Sequence, residues 1–504
     1  MNRTCETIHI SALMQQSGVK FGTSGARGLV EDMSDEVCYA YTLAFIQHLK
    51  HIEDLGADAS IAIAGDYRSS TPKILASVAM AIHDSGYNPV YCGLIPTPAV
   101  ACYAMSQHLP SIMVTGSHIP DDRNGIKFYK STGEILKDDE QSMCAQTVKI
   151  ARDCFDEHGN TRTPFTLPTA TTDAYAMFVQ RYIDFFPSNC FQDKTVAVYE
   201  HSTVARDMLG EIFEGLGAKV IRLGRSENFL PVDTEAIRPE DVQLAKQWAG
   251  EYDLDCIVSA DGDGDRPLIS DEDGNWLRGD VAGILCAKYL HAQSIATPVS
   301  CNSSVEKSGW FKHIARTRIG SPFVIEAMNN ALQQDDSHVV GYEANGGFLT
   351  ASDIKMETRN LSALPTRDAI IVPLSILLMA SQKNMFISEL LQTLPQRFTS
   401  SGRLKDFPTE LSEEKLSPLK TSFPEKNIAA AQQLFGNIFG NIEHIDNTDG
   451  VRITFDSEEV VHLRPSGNAP ELRCYNEANS SARAETMNQQ CLQTLSKWKG
   501  ELAA

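Results

Sequence analysis

The chain has 504 residues, 42% of them hydrophobic and 22% charged, with a formal net charge of -21 at pH 7. That length exceeds what one hydrophobic core serves and predicts roughly three or four globular domains. The acidic balance excludes nucleic acid and anionic membrane surfaces as partners, and it requires any anionic substrate to be held by a local cluster of Arg, Lys and backbone N–H groups.

The first notable stretch is Phe21-Gly22-Thr23-Ser24-Gly25-Ala26-Arg27-Gly28, a Gly-rich turn able to bring the Arg27 guanidinium to an anion, or simply a turn with a surface arginine. Ile61-Ala62-Ile63-Ala64 reads as a strand, followed by Gly65-Asp66-Tyr67-Arg68-Ser69-Ser70 and a helix opened by Thr71 as N-cap with Pro72 in its first turn. Gly93 and Pro96-Thr97-Pro98 mark a further loop and helix start. Ser111-Ile112-Met113-Val114 then reads as a short buried strand running into Thr115-Gly116-Ser117-His118-Ile119-Pro120 and Asn124-Gly125-Ile126-Lys127. A serine on such a loop, at the carboxyl end of a strand, is presented where open α/β sheets bind ligands. An ordinary strand-to-turn transition reads the same way when that loop is taken alone.

Residues 158–172 are polar with two prolines and are expected to be a linker. A second unit repeats the pattern: a helix over about 172–186, strand Val196-Ala197-Val198-Tyr199, the loop His201-Ser202-Thr203, a helix ending near Gly215, and strand Cys256-Ile257-Val258-Ser259. It closes on Asp261-Gly262-Asp263-Gly264-Asp265-Arg266, where three alternate carboxylates can converge on a small hard cation such as Mg²⁺. An EF-hand would use the same acids with Glu272, but it needs glycine where Arg266 stands and a helix where a strand is expected. A solvated acidic turn is the remaining alternative.

Asp273-Gly274 suggests a hairpin, and a helical segment from Asp280 opens a third unit. That unit contains Arg318-Ile319-Gly320 and ends a strand in Tyr342-Glu343-Ala344-Asn345-Gly346-Gly347, whose Glu343 and Asn345 suit sugar hydroxyls or simply solvent. The apolar run 369–380 contains Pro373, is too short to cross a bilayer, and reads as a buried helix. Residues 400–425, rich in Lys, Glu, Ser and Pro, are expected to be a second linker. In the last hundred residues, Asp449-Gly450 predicts an antiparallel hairpin. Arg464-Pro465-Ser466-Gly467-Asn468-Ala469-Pro470-Glu471-Leu472-Arg473 makes a plausible phosphate cradle. Ala484, Met487, Cys491, Leu495 and Trp498 form one face of a final helix and are assigned to the core. Twelve scattered cysteines with no C-x-x-C pair, and no basic segment leading into an apolar run at the N-terminus, predict reduced thiols and a cytoplasmic location.

The order of T-G-S-H-x-P, D-G-D-G-D-R and R-P-S-G across nearly the whole chain resembles the α-D-phosphohexomutase family, the phosphomannomutase/phosphoglucomutase enzymes. The resemblance implies an α/β architecture of three similar mixed or parallel-sheet domains and a smaller C-terminal α+β domain around a central cleft. The expected spans are 1–165, 166–276, 277–400 and 401–504. It implies that Ser117 carries a phosphoryl group, that Asp261, Asp263 and Asp265 bind Mg²⁺ together with an oxygen on Ser117, and that Arg27, His118, Lys127 and Arg266 support phosphoryl transfer. Lys127 is the first candidate for general acid/base work and His118 the second. Glu343, Asn345 and Gly346 fall in the sugar-recognition loop, and Arg464, Ser466, Gly467, Asn468 and Arg473 in the loop gripping the non-reacting phosphate. Hexose phosphates are the implied substrates, a hexose 1,6-bisphosphate the intermediate and activator, and a monomer or weak homodimer the implied state. The expected reaction interconverts mannose 6-phosphate and mannose 1-phosphate, with a glucose-directed or dual-specificity enzyme as the alternative.

The sequence departs from the pattern in two loops. Familiar members carry Glu-x-Ser-Gly-His where this chain has Glu343-Ala344-Asn345-Gly346-Gly347, and Thr-Glu where it has Asn468-Ala469. The Arg318-Ile319-Gly320 segment also lacks a histidine that some members place there. These changes bear on which sugar is preferred and leave the serine and metal loops intact.

Overall fold

The computed structural model describes residues 5–22, 25–334, 336–466 and 470–500. Its first sheet runs in the order Lys20–Phe21, Ala26–Leu29, Arg123–Lys130, Ser111–Val114, Ser60–Gly65, Asn88–Leu94. Ser60–Gly65 is parallel to both Asn88–Leu94 and Ser111–Val114, whereas Arg123–Lys130 turns back antiparallel to Ser111–Val114. The strands read near-continuously apolar because both faces are covered, as with Ser111–Val114, in which every residue is buried. Helix Thr71–Asp84 begins where expected with proline in its first turn, but the Thr71 side chain donates to Asp66 Oδ1 at 2.7 Å instead of capping the helix.

The second and third units each build a four-stranded sheet to the same plan. Thr195–Tyr199 lies between Lys219–Leu223 and Cys256–Ala260, all parallel, and Pro267–Ile269 returns antiparallel to Cys256–Ala260. Ser294–Pro298 lies between His313–Thr317 and Val339–Tyr342, and Phe348–Thr350 returns antiparallel to Val339–Tyr342. In all three units the chemically distinctive loop joins the last parallel strand to its antiparallel return. The sheets are therefore mixed, and the antiparallel return carries the segment that follows each loop.

The C-terminal sheet is antiparallel, in the order Phe398–Lys405, Glu471–Ala478, Val460–Pro465, Val451–Phe455, Ile442–Asp446, with helix Ser481–Gly500 packed on it. Its core, from Phe407 to Trp498, is separate from the apolar cluster shared by the three preceding units. Ala484, Met487, Cys491, Leu495 and Trp498 are buried there as their spacing predicts.

Two expectations need correction. Residues 400–425 are not a linker: strand Phe398–Lys405 and helix Thr409–Leu416 occupy much of that stretch, with Phe407, Leu411, Leu416 and Leu419 buried. The polar composition reflects an edge strand and a surface helix, which need few apolar residues. The strand also crosses the expected boundary between residues 400 and 401. Residues 158–172 do lack helix and strand, yet they are docked, with the Thr161 N–H on Asp35 Oδ2 at 2.8 Å and the Thr171 N–H on Tyr91 O at 2.8 Å. The run expected as a buried helix is Ile371–Gln382, with Pro373 in its first turn and residues Ile371 to Ala380 buried. No helix among the described residues is long and apolar enough to cross a membrane.

Candidate active site

Ser117 follows the end of strand Ser111–Val114 and has a φ of +55°, a left-handed backbone that a non-glycine residue adopts only when its surroundings hold it. What holds it is Arg68, a residue the motifs did not single out. Its fully buried side chain donates to the carbonyls of Ser117 (2.8 Å), Ile119 (2.6 Å), Pro120 (2.7 Å) and Arg123 (3.0 Å), and Nε donates to Asp66 Oδ2 at 3.1 Å. Asp66 in turn accepts from Thr115 Oγ1 at 2.7 Å, and Thr115 Oγ1 accepts the Ser117 N–H at 2.7 Å. The guanidinium also lies 3.9 Å from the ring centroid of Phe229, which the second unit supplies. Gly116 is obligatory here, because a Cβ would stand 2.6 Å from Arg68 Cζ.

The loop of Asp261, Asp263 and Asp265 meets this serine directly. Ser117 Oγ donates to Asp261 Oδ2 at 2.7 Å, and a Cβ on Gly262 would lie 2.8 Å from the Ser117 carbonyl oxygen. Asp261, Asp263 and Asp265 are all buried, and each can offer an oxygen within 4.8 Å of the others. The backbone tightens the loop: Asp261 Oδ1 accepts the N–H groups of Asp265 and Arg266, each at 3.1 Å. The loop joins strands Cys256–Ala260 and Pro267–Ile269, so the EF-hand alternative, which needs helices, is overturned.

One oxygen of each later aspartate is already engaged. Asp263 Oδ2 accepts from Lys127 Nζ (2.6 Å) and from Thr97 Oγ1 (2.6 Å), and Asp265 Oδ2 accepts from Lys127 Nζ (2.7 Å) and Arg367 Nε (3.0 Å). Asp263 Oδ1 and Asp265 Oδ1 are buried without a hydrogen-bond partner among the described residues. Buried carboxylate oxygens are costly when unmatched, and three hard oxygen donors at this spacing fit a small divalent cation. Burial first, then the charges of Asp263 and Asp265, push the Asp261 carboxyl well above the usual range. Asp265 is instead held below it: burial opposes, and Arg367, Lys127 and Arg266 outweigh burial.

Among the cations, burial opposes the charge on Lys127, but Asp263 and Asp265 prevail and raise it above the ordinary lysine value. Arg266 Nη1 donates to His118 Nδ1 at 2.8 Å, while its Nε lies 3.8 Å from both Asp261 and Asp265. Burial, Arg266 and Arg27 lower His118 to about 2, so its imidazole is neutral, with Nδ1 facing Ser117 Oγ at 3.3 Å. Arg27, on strand Ala26–Leu29, is lowered to about 10 by burial and by Arg266.

The loop carrying Glu343 and Asn345 reaches the same centre through Arg367, whose Nη1 lies 3.3 Å from Glu343 Oε2 and whose Nη2 lies 2.9 Å from Asp265 Oδ2. Glu343 and Asn345 are buried; Asn345 Oδ1 accepts the Gly347 N–H at 2.9 Å, and Gly346 has a φ of +88°. In the C-terminal unit, Arg464 and Arg473 face one another across the ladder between Val460–Pro465 and Glu471–Ala478. Like charges so placed oppose folding unless an anion lies with them. Arg464 Nε forms an ion pair with Asp449 Oδ2 at 2.9 Å, and the buried Ser466 donates its N–H to Glu471 O at 2.8 Å. Gly467 and Asn468 lie outside the described residues. Glu235, in the second unit, is exposed, and the charges of Arg278, Arg266 and Arg473 all reach its carboxyl.

Thr97 and Arg367 escaped the sequence reading because the partners that matter are distant in the chain, as did Arg68, whose four carbonyl acceptors lie 49 to 55 positions away. Asp66-Tyr67-Arg68, with an acid and a base two residues apart on a strand-end loop, was the available signal for Arg68.

Comparison with known proteins agrees with this geometry. Family models described as phosphoglucomutase/phosphomannomutase alpha/beta/alpha domain I, alpha/beta/alpha domain III and C-terminal domain match residues 18–152, 278–398 and 417–493. A phosphomannomutase of Salmonella muenchen is 44% identical over 477 residues, 94% of each chain. One of Sinorhizobium fredii is 40% identical over 478 residues, 95% of this chain and 99% of its own. The crystal structure of a phosphoglucomutase/phosphomannomutase family protein from Burkholderia thailandensis superposes with a TM-score of 0.72 at 19% identity, over 98% of each chain, and shares the fold.

Proposed function

Given that the chain belongs to the phosphoglucomutase/phosphomannomutase family, we propose that it is a phosphomannomutase, interconverting mannose 6-phosphate and mannose 1-phosphate through a phosphoserine at Ser117 and a hexose 1,6-bisphosphate. The observation that carries this reading is the Ser117 Oγ–Asp261 Oδ2 contact at 2.7 Å, which puts a nucleophile-sized oxygen at the edge of a buried three-aspartate cluster. Phosphoryl transfer asks for alignment and charge neutralisation more than for covalent chemistry.

Asp261, Asp263 and Asp265, with an oxygen on Ser117, would hold Mg²⁺, which when bound supplies positive charge to the phosphoryl oxygens. Arg27 and Arg266 add positive charge beside Ser117. When the phosphoryl group leaves Ser117 for a sugar hydroxyl, that hydroxyl loses a proton and Ser117 Oγ gains one, so the step is proton-neutral overall. Lys127, charged between two aspartates, would give its proton to Ser117 Oγ and take up the one the sugar hydroxyl loses; His118, whose Nδ1 faces Oγ but already accepts from Arg266, is the second candidate. Glu343 and Asn345 would face the sugar, and Arg464, Ser466, Gly467, Asn468 and Arg473 the distal phosphate. The separate core of the C-terminal unit suits a hinged clamp that opens for the bisphosphate to reverse.

Asn345 and Gly347, standing where serine and histidine are usual, leave open a second reading, a phosphoglucomutase or a dual-specificity enzyme. A cytoplasmic monomer or weak homodimer is the proposed form, in keeping with twelve scattered cysteines that form no C-x-x-C pair. The test is a coupled assay of purified protein with Mg²⁺ and either mannose or glucose 1,6-bisphosphate on both hexose 1-phosphates, with intact-mass detection of phosphate on Ser117. Turnover of mannose 1-phosphate with a higher kcat/KM is expected; conversion of neither sugar would sink the reading.

A further inference from the structure

Position 347 is glycine where the Glu-x-Ser-Gly-His pattern carries histidine, and the reason is spatial rather than conformational. Gly347 does not belong to the positive-φ glycines, so its backbone admits any residue. A Cβ there, however, would lie 2.4 Å from Arg367 Cδ and 2.7 Å from its Cγ. The stem of Arg367 fills the volume in which a side chain at 347 would begin. Its guanidinium then continues to Asp265 on one side (2.9 Å and 3.0 Å) and to Glu343 on the other (3.3 Å). Arg367 is buried, and burial opposes its charge, but Asp265, Glu134 and Glu343 raise it well above the ordinary arginine value. The side chain comes from the segment after the third sheet, anchored by its neighbours: Thr366 Oγ1 donates to Glu134 Oε1 at 2.7 Å, and Asp368 Oδ2 accepts from Tyr182 Oη at 2.5 Å.

We propose that Arg367 takes the side-chain place of residue 347 and acts from there as the positioning residue that orients Glu343 toward the sugar. A planar fork shared between two carboxylates fixes both at once, which a point charge on a flexible stem does not. The sugar loop of this chain thus receives its cation from another segment, and the orientation of Glu343 is tied to the metal loop through Asp265. The reference to a sugar rests on the mutase reading; the space-filling relationship does not.

The experiment has two arms. In the first, apparent Tm is measured for Gly347→Ala in the wild-type and Arg367→Ala backgrounds, with no turnover needed. Overpacking is expected to lower Tm by about 2–4 °C in the first background and by less than about 1 °C in the second. Equal losses in both would show that Arg367 does not fill the place of residue 347. The second arm uses Arg367→Lys, which keeps the charge and most of the stem, so it remains informative if Arg367→Ala does not fold. KM for the hexose phosphate is expected to rise roughly tenfold, the loss of one charge-assisted hydrogen bond, with kcat and calorimetric Mg²⁺ affinity each within about threefold. Unchanged KM, or a loss confined to kcat and Mg²⁺ affinity, would overturn the positioning role. Should the wild-type protein turn over neither sugar, the mutase reading fails, and the Tm cycle still decides whether Arg367 occupies that place.

Discussion

Ser117 Oγ and Asp261 Oδ2 stand 2.7 Å apart although 144 positions separate the two residues in the chain. The contact crosses from the first α/β unit to the second, and Gly262 makes it possible by leaving room for the Ser117 carbonyl. Ser117→Ala should therefore abolish phosphate incorporation and lower turnover by at least roughly 10³-fold, while sugar-phosphate binding measured by calorimetry persists. Retained turnover would remove Ser117 from the reaction.

Removing Arg68 should cost more stability than any surface change. Arg68→Ala leaves the Asp66 carboxylate buried without its ion pair and frees the four carbonyls that hold the Ser117 loop. A loss of about 3–5 kcal/mol in urea unfolding is expected, with Arg68→Lys recovering part of it, since a single ammonium cannot reach the same set of acceptors.

Divalent metal should stabilise the folded protein through the unmatched oxygens of Asp263 and Asp265. Mg²⁺ at about 100 times its Kd is expected to add about 2.7 kcal/mol, and a chelator to reverse it. Asp263→Asn and Asp265→Asn should lose most of the gain, whereas Ser466→Ala, in the C-terminal loop, should keep it. Thermal scans with and without Mg²⁺ decide the point.

His462 makes a pH prediction remote from the metal loop. Its Nε2 lies 2.7 Å from the Asp449 carbonyl, and its ring stacks on Tyr475 at 5.4 Å. Burial lowers it from 6.5 to about 4, helped by Arg452 and Arg464 and opposed by the Asp449 carbonyl and carboxylate. Because the folded value lies below the unfolded one, the unfolded chain binds the proton first. This contribution is intact above about pH 6.5 and is lost as pH falls toward about 4, for a total of about 3 kcal/mol. His462→Gln should flatten that part of the stability–pH curve, measured as urea midpoints over the same window.

Much of the architecture was legible because its signals are local. Strand Ser111–Val114 and helix Thr71–Asp84 lie where apolar runs, proline and glycine place them, and the final helix buries the face its spacing marks out. The stretch 400–425 misled because an edge strand and a surface helix have the composition of a linker, and pairing with Glu471–Ala478 is a long-range event. The same division runs through the site. The residue types of the Ser117, Asp261–Asp265, Glu343 and Arg464 loops, weak one by one, suit a nucleophile, a cation site and anion-binding groups when taken together in the chain. Which groups answer one another was decided only by folding: Ser117 to Asp261, Lys127 to Asp263 and Asp265, Thr97 to Asp263, Arg68 to the carbonyls of the serine loop, and Arg367 to both Asp265 and Glu343. Motifs record what a loop can offer. Charges and hydrogen bonds depend on distance in space, and that distance exists only once the units have closed on one another.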